Sequence, residues 1–348
     1  MGQRGIMKRI SSLFLLTVLA MALVLSGCDV GKKDSGNGKV KIGVTVYDQY
    51  DTFVSQLMEC FQEFKEDNVE IVVYNASQSQ QTQNTQVQKM IDDGCDVICV
   101  NLVDRTDPTA VIDAAKKGDV PIVFFNRELV EGDINQWNKL FYVGANAVES
   151  GIMEGQLAAT ACLADKSIDK NGDGLIQYVV LEGEAGHQDS IVRTEYSVNT
   201  LISSGVEVEK VGYAIANWNR AQAQTKMSQF IDQYPDGIEL VLANNDDMAL
   251  GAIDAYESAG IIRSKWPAIF GIDGTDVGLE AVRDDRMVGT VYNDKEGQAK
   301  AMYRLCIILA RGGDITELSD EFTIDDGKYI RLPYDKVTAT NINLYIKR

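Results

Sequence analysis

Residues Asp169–Gly183 read DKNGDGLIQYVVLEG, and the two halves of this stretch point to different folds. The first half has the oxygen spacing of a helix–loop–helix calcium loop. Side chains of Asp169, Asn171 and Asp173 fall at loop positions one, three and five, a turn-forming Gly174 follows, and the Leu175 carbonyl and Gln177 amide oxygen fall at seven and nine. The second half rules out the exiting helix. Position twelve, which should be a bidentate Glu, is Val180, and LIQYVVLEG is β-branched and apolar, so the loop runs into a buried strand. A hard cation is the expected occupant, with calcium as a structural cofactor. The missing carboxylate must come from elsewhere in the chain, and Glu239 is the candidate.

That strand is one of a series. From Val40 onward KIGVTVY, EIVVYNA, DVICVNLV, PIVFFN and FYVGAN alternate with amphipathic segments, and a second set, IQYVVLEG, VEKVGYAI, IELVLANN, AIFGIDG and VGTVYND, does the same after Glu149. Continuous apolar runs imply parallel strands covered on both faces. The fold class predicted is α/β, with two doubly wound parallel-sheet lobes joined by hinge crossovers near Ala145, near Asn293 and around Asp325. The expected N-terminal lobe comprises residues 39–145 plus 294–327, and the C-terminal lobe 146–293 plus 328–348.

Upstream of the first strand the chain reads as a targeting segment. Lys8 and Arg9 precede an uncharged run from Leu13 to Leu25, too short to span a bilayer at ~20 residues, and Leu-Ser-Gly-Cys at its end has the form of a lipobox. Residues 1–28 are therefore expected to be a lipoprotein signal peptide with Cys28 as the acylated residue, and residues 29–38, small and polar, a flexible tether. The expected location is the extracytoplasmic face of a bacterial membrane. Myristoylation at Gly2 is discarded, because Ile6 stands where Ser or Thr is required.

The formal net charge is −18 over 348 residues, which argues against nucleic acid as a partner. Cys60, Cys95, Cys99, Cys162 and Cys306 are odd in number and sit in apolar contexts, so they are read as free buried thiols rather than a disulfide framework.

In sheets of this kind ligands lie beyond the carboxyl ends of the strands. Those ends carry planar polar groups and aromatics: Asp51, Asn126, Asp189, Arg193, Asn245, Asp273 and Asn293 can grip vicinal hydroxyls, and Phe53 and Trp218 can cover the C–H faces of a pyranose. His187 and Asp189 could in principle act as base and acid. Without a nucleophile, a second metal or a nucleotide loop they make a poor catalytic set, so the chain is read as a binding protein and not an enzyme.

The stretches IGVTVYDQYDTF, NLVD, VPIVFFN, YVGANAVESG, DKNGDGLIQ, GEAGHQDSIVRTEY, LANNDDMALGA, FGIDG and GTVYNDKEGQA together resemble the periplasmic galactose/glucose-binding proteins of bacterial ABC sugar importers, within the type I periplasmic-binding-protein fold. The resemblance runs from Val40 to the C-terminus. It implies sugar ligation by Asp51, Phe53, Asn126, His187, Asp189, Arg193, Trp218, Asn245, Asp273 and Asn293, with Asp51 at the fourth hydroxyl. It also implies calcium ligation by Asp169, Asn171, Asp173, Leu175, Gln177 and Glu239. The expected ligand is galactose or glucose, and the expected partner of the monomer is an ABC permease. The alternative is a sensor that presents ribose, xylose or a related sugar to a chemoreceptor or sensor kinase. The stretch from Tyr47 to Tyr50 and the setting of Trp218, after Ala216 and Asn217, depart from the family pattern.

Overall fold

A computed structural model describes residues 38–346. The expected signal peptide, Cys28 and all but the last residue of the tether lie outside the described residues.

Val40–Val46 (β1), Val69–Asn75 (β2), Val97–Val100 (β3), Ile122–Phe125 (β4) and Leu140–Ala145 (β5) are parallel strands in the spatial order 2-1-3-4-5. Helices Thr52–Glu63 (α1), Gln80–Asp92 (α2), Thr109–Gly118 (α3) and Glu131–Ile134 (α4) connect them. The pattern then repeats. Ile176–Glu182 (β6), Val208–Ile215 (β7), Leu240–Ala243 (β8), Ala268–Asp273 (β9) and Gly289–Asn293 (β10) take the equivalent order 7-6-8-9-10. Their helices are Ala147–Ala164 (α5), Gln188–Ser203 (α6), Arg220–Gln233 (α7), Asp246–Ser258 (α8) and Asp276–Arg283 (α9). Helix Lys295–Ala310 (α10) returns to the first sheet, where Met302, Leu305 and Cys306 pack in the core with Ile42 and Val44.

The apolar runs are continuous because each sheet has a core on both faces. Val97 and Cys99 of β3 point to one core, and Ile98 and Val100 to the other. In the second lobe Val179 and Leu181 of β6 face one core while Tyr178 and Val180 face its opposite. Period-2 alternation is present in direction but invisible in hydrophobicity.

Two features differ from the expectation. Each sheet ends in an antiparallel pair, so neither is wholly parallel: Ile324–Asp325 (β11) pairs antiparallel with Tyr329–Leu332 (β12), and Tyr334–Thr338 (β13) pairs antiparallel with β10. The last lobe boundary also moves. Residues from 328 were expected in the C-terminal lobe, but β12 pairs parallel with β5 of the first sheet, and the chain crosses at Pro333 into β13 of the second. The other two crossings follow β5 and β10, next to Ala145 and Asn293.

In both lobes the strand order reverses direction between the first and third strands, β1/β3 and β6/β8, and the crevice beyond their carboxyl ends is where such sheets bind ligands. No helix among the described residues is long and apolar enough to cross a membrane.

Candidate functional site

Between the two sets of strand ends lies a narrow cavity walled by both lobes. Asp51, Phe53 and Asn126 line it from the first lobe. His187, Asp189, Arg193, Trp218, Asn245 and Asp273 line it from the second. These are nine of the ten residues named from sequence.

Asn293, the tenth, is placed at the end of β10 and buried, where its Oδ1 accepts from Gln298 Nε2 at 2.5 Å; it is not among the residues lining the cavity. Tyr47 and Arg127 line the cavity and were missed as site residues.

The helix caps fix many of these side chains. Asp51 is the N-cap of α1: its Oδ1 accepts from Val54 N at 2.9 Å, and its Oδ2 accepts from the Tyr47 hydroxyl at 2.6 Å. Asn245 caps α8 by accepting from Met248 N at 2.9 Å. His187 caps α6, its Nδ1 accepting from Asp189 N at 3.1 Å. A capping acceptor at Nδ1 means that the neutral ring carries its proton on Nε2. That Nε2 is buried and has no protein partner. Burial lowers the His187 pKa to about 4, against the opposing pull of Asp189, so the ring is neutral at pH 7 and offers a single N–H.

Arg193 is the electrostatic centre of the second lobe. Its Nη1 donates to the Asn244 carbonyl at 2.8 Å and lies 3.4 Å from Asp273 Oδ1, its Nη2 donates to the Tyr334 hydroxyl at 3.3 Å, and Asp189 Oδ2 lies 3.8 Å away. Burial opposes its charge, yet Tyr334, Asp273 and Asp189 together hold its pKa above the ordinary value. Burial also raises the Asp273 carboxyl well above its ordinary range, with Arg193 as the counterweight. Arg193 Nε is buried with no protein partner. Two orphaned donors, His187 Nε2 and Arg193 Nε, therefore belong to side chains lining one cavity that also holds carboxylates and carboxamides. Each unmet donor costs about 1–3 kcal/mol until a ligand oxygen accepts from it.

Asn126, Trp218 and Asp273 have φ of 60°, 60° and 114°. Left-handed backbone at non-glycine residues costs roughly 1–3 kcal/mol each and is kept where it aims a side chain. At Asn126 it also breaks strand alternation, so that Asn126 and Arg127 both reach the cavity. The Asn126 Oδ1 accepts from Asn101 Nδ2 at 3.0 Å, which leaves the Asn126 amide nitrogen as its free donor. The Arg127 guanidinium lies 3.6 Å from the Tyr47 ring centroid and pairs with Glu184 of the opposite lobe at 2.8 Å. Thr52 Oγ1 donates to Asp247 Oδ2 at 2.6 Å across the same cleft. The cleft is thus clasped on two sides.

Away from the cleft, Glu239 lies against the loop from Asp169 to Gln177. Glu239 Oε1 accepts from Lys170 N at 2.6 Å and Oε2 from Gln177 N at 3.2 Å. Asn171 Nδ2 is 3.0 Å from both Asp173 Oδ2 and Gln177 Oε1. Asp173 and Gln177 thus both accept from the Asn171 amide, and the turn is made by Gly174 at φ 85°. The donor set is all oxygen, as a hard cation takes. Among the described residues no group of three or more His, Cys, Asp or Glu side chains is placed to hold a metal, so Asp169, Asp173 and Glu239 do not form such a group by themselves.

Two α/β lobes with a polar, aromatic-walled cleft between their strand ends define a solute-binding protein, and comparison with known proteins agrees. Residues 42–314 match the periplasmic binding protein domain, and the chain belongs to that family, a non-catalytic class of transport proteins. It is 34% identical over 310 residues to the D-galactose/methyl-galactoside binding periplasmic protein of Haemophilus influenzae, covering 88% of this chain and 92% of that one. It is 30% identical to the xylitol-binding protein of Mycolicibacterium smegmatis over 85% of this chain and 79% of that one. The crystal structure of an ABC transporter solute-binding protein from Bacillus halodurans with bound myo-inositol superposes with a TM-score of 0.73 at 26% identity, covering 89% of this chain and 98% of that one.

Proposed function

We propose that this chain is an extracytoplasmic lipoprotein, anchored through Cys28, that takes D-galactose or D-glucose between its lobes and hands it to an ABC permease. One observation carries the reading: nine polar and aromatic residues from distant parts of the chain line one cavity, and two of them hold buried donors with no protein acceptor. A hexose hydroxyl both donates and accepts, so it can satisfy His187 Nε2–H and Arg193 Nε–H while donating to Asp51, Asp189 or Asp273. The relative named for D-galactose and methyl-galactoside supports the choice of hexose.

Closure is the mechanism. Thr52 with Asp247, and Arg127 with Glu184, join the lobes around the cleft, and the three crossings beside Ala145, Asn293 and Pro333 supply the hinge. A sugar that leaves one buried donor unmet forfeits about 1–3 kcal/mol, which is about five- to 150-fold in affinity. Calcium, held by Asp169, Asn171, Asp173, the Leu175 carbonyl, Gln177 and Glu239, braces the second lobe and takes no part in binding sugar.

Calorimetric titration with galactose, glucose, ribose, xylose and myo-inositol tests the reading. Galactose or glucose should bind at least tenfold tighter than the rest; tighter binding of a pentose or the cyclitol, or no binding at all, refutes it.

A further inference from the structure

Tyr47, Arg127 and Trp218 line the inner cavity on one side and a second, solvent-open hollow on the other. The hollow is walled by both lobes: Gln78 and Val103 from the first, Glu184, Asn217 and Gln222 from the second. Its chemistry matches that of the inner site. Exposed carboxamides line it, and no lysine does. The one arginine is already engaged, by Glu184 and by the Val103 carbonyl at 2.9 Å. An anion would find no free positive partner there, whereas a neutral polyol would find donors, acceptors and the edge of an indole.

The carboxamides are also pre-set. Asn217 Nδ2 donates to Gln222 Oε1 at 2.8 Å, which leaves the Asn217 oxygen and the Gln222 nitrogen for a ligand. Gln78 Nε2 donates to Asp48 at 2.7 Å, which leaves the Gln78 oxygen. Gln78 and Asn217 hold φ of 61° and 52° to stand where they do. The partition between the hollows is the Arg127–Glu184 pair. The Arg127 side chain is 4% exposed and the Glu184 side chain 44%, so Glu184 is the movable half, and when it swings out the buried guanidinium keeps the Val103 carbonyl and takes a ligand hydroxyl oxygen in place of the carboxylate.

We propose that the outer hollow is a subsite for a second, glycosidically linked hexose, so that the chain binds hexosyl-hexose disaccharides as well as the free sugar. The first ring fills the inner cavity, the linkage passes where Glu184 yields, and the second ring is gripped by Gln78, Asn217 and Gln222. This rests on the hexose reading of the inner cavity.

The test is calorimetric titration of the purified protein with galactose, glucose, lactose, melibiose and cellobiose, repeated on the double variant Gln78→Ala/Gln222→Ala. At least one disaccharide should bind to the parent protein. Loss of one or two hydrogen bonds should weaken that disaccharide about fivefold or more in the variant, with the free hexose unchanged within about twofold. Binding of a free hexose with no disaccharide detectable overturns the outer subsite and leaves the inner reading standing. Equal weakening of both ligands, or of neither, also overturns it, because the second ring is then held elsewhere. Binding of neither sugar class removes both readings together.

Discussion

Trp218 lies against the α-carbon of Gly183, so closely that a Cβ on Gly183 would overlap the benzo ring of the indole. The two residues sit beyond the ends of neighbouring strands, β6 and β7, and the missing side chain makes the seat of the aromatic wall. Trp218 also meets the His187 ring edge-on at 5.5 Å between centroids, so a displaced indole would disturb the orphaned Nε2 as well.

Gly183→Ala should therefore move the indole off its seat. We expect sugar affinity to fall by about tenfold or more, close to 1.4 kcal/mol, read by tryptophan fluorescence titration. Unchanged affinity would mean that Trp218 takes no part in the cleft.

The guanidinium of Arg193 is the only cation within ion-pair distance of Asp273 among the described residues, and it is one of two partners of Asp189 there, with neutral His187 the other. Arg193→Met keeps the length of the side chain and removes its charge, leaving the buried Asp273 carboxyl without compensation. Breaking a buried pair from one side costs roughly 3–5 kcal/mol. Urea unfolding of Arg193→Met at pH 7 should show a loss of that order, with sugar binding abolished; a loss below about 1 kcal/mol would contradict the buried-pair account.

Much of this was legible in the sequence, for identifiable reasons. Strands with cores on both faces leave continuous apolar runs, so β1 and β6 could be read directly, and the ligand side followed from topology. The loop at Asp169 has Val180 where a carboxylate is expected, and Glu239 lies against it, tied to Lys170 and Gln177 by hydrogen bonds from their backbone N–H groups. The final crossing was misplaced because β12 and β13 are separated by Pro333 alone, and nothing local says that YIRL pairs with β5 while YDKVT pairs with β10. Arg127 escaped notice because strand alternation turns the residue after Asn126 away from the cleft. Only the left-handed backbone at Asn126 turns it back, and a single Asn in a turn does not declare its φ. Tyr47 was hidden similarly: its hydroxyl reaches Asp51, four residues on, across a turn that is not helical.

Calcium can be separated from the loop's own hydrogen bonds. Because Glu239 accepts from backbone N–H groups at both ends of the loop, Glu239→Gln weakens the second lobe whether or not a metal is present. The informative comparison is the parent protein with and without chelator. We expect chelation to lower the thermal midpoint by several degrees, since a ligand bound only to the native state contributes about 2.7 kcal/mol at a hundred times its Kd. Glu239→Gln should melt lower and lose most of its response to chelator, while its galactose affinity stays within about threefold. A parent midpoint indifferent to chelator and to added calcium would remove the metal from the account.

The last expectation concerns Glu154, fully buried in α5. Burial raises its pKa from the ordinary 4.5 to about 8, so at pH 7 it is mostly protonated. Asp246, buried at the start of α8, is likewise raised by burial, from 3.8 to about 7. For a carboxyl whose native pKa is raised, the native state binds more protons than the unfolded chain. The stabilisation is complete below the unfolded pKa and is lost as pH rises through the native one. His187 runs the other way: its native pKa is lowered from 6.5 to about 4, so its contribution is present above 6.5 and lost as pH falls. Between pH 4.5 and 6.5 one histidine offsets one of these two acids, from 6.5 to about 7 nothing offsets either, and from about 7 to 8 Glu154 alone still titrates. The contribution of these three groups should therefore fall most steeply between about pH 6.5 and 7. Glu154→Gln, which holds the neutral form at every pH, should gain on the parent by roughly 1.4 kcal/mol per pH unit between 4.5 and 8 and by a constant amount beyond. Denaturant titrations at half-unit steps across that window measure the difference, and a pH-independent offset between the two proteins would mean that Glu154 ionises in the native state as it does in the unfolded chain.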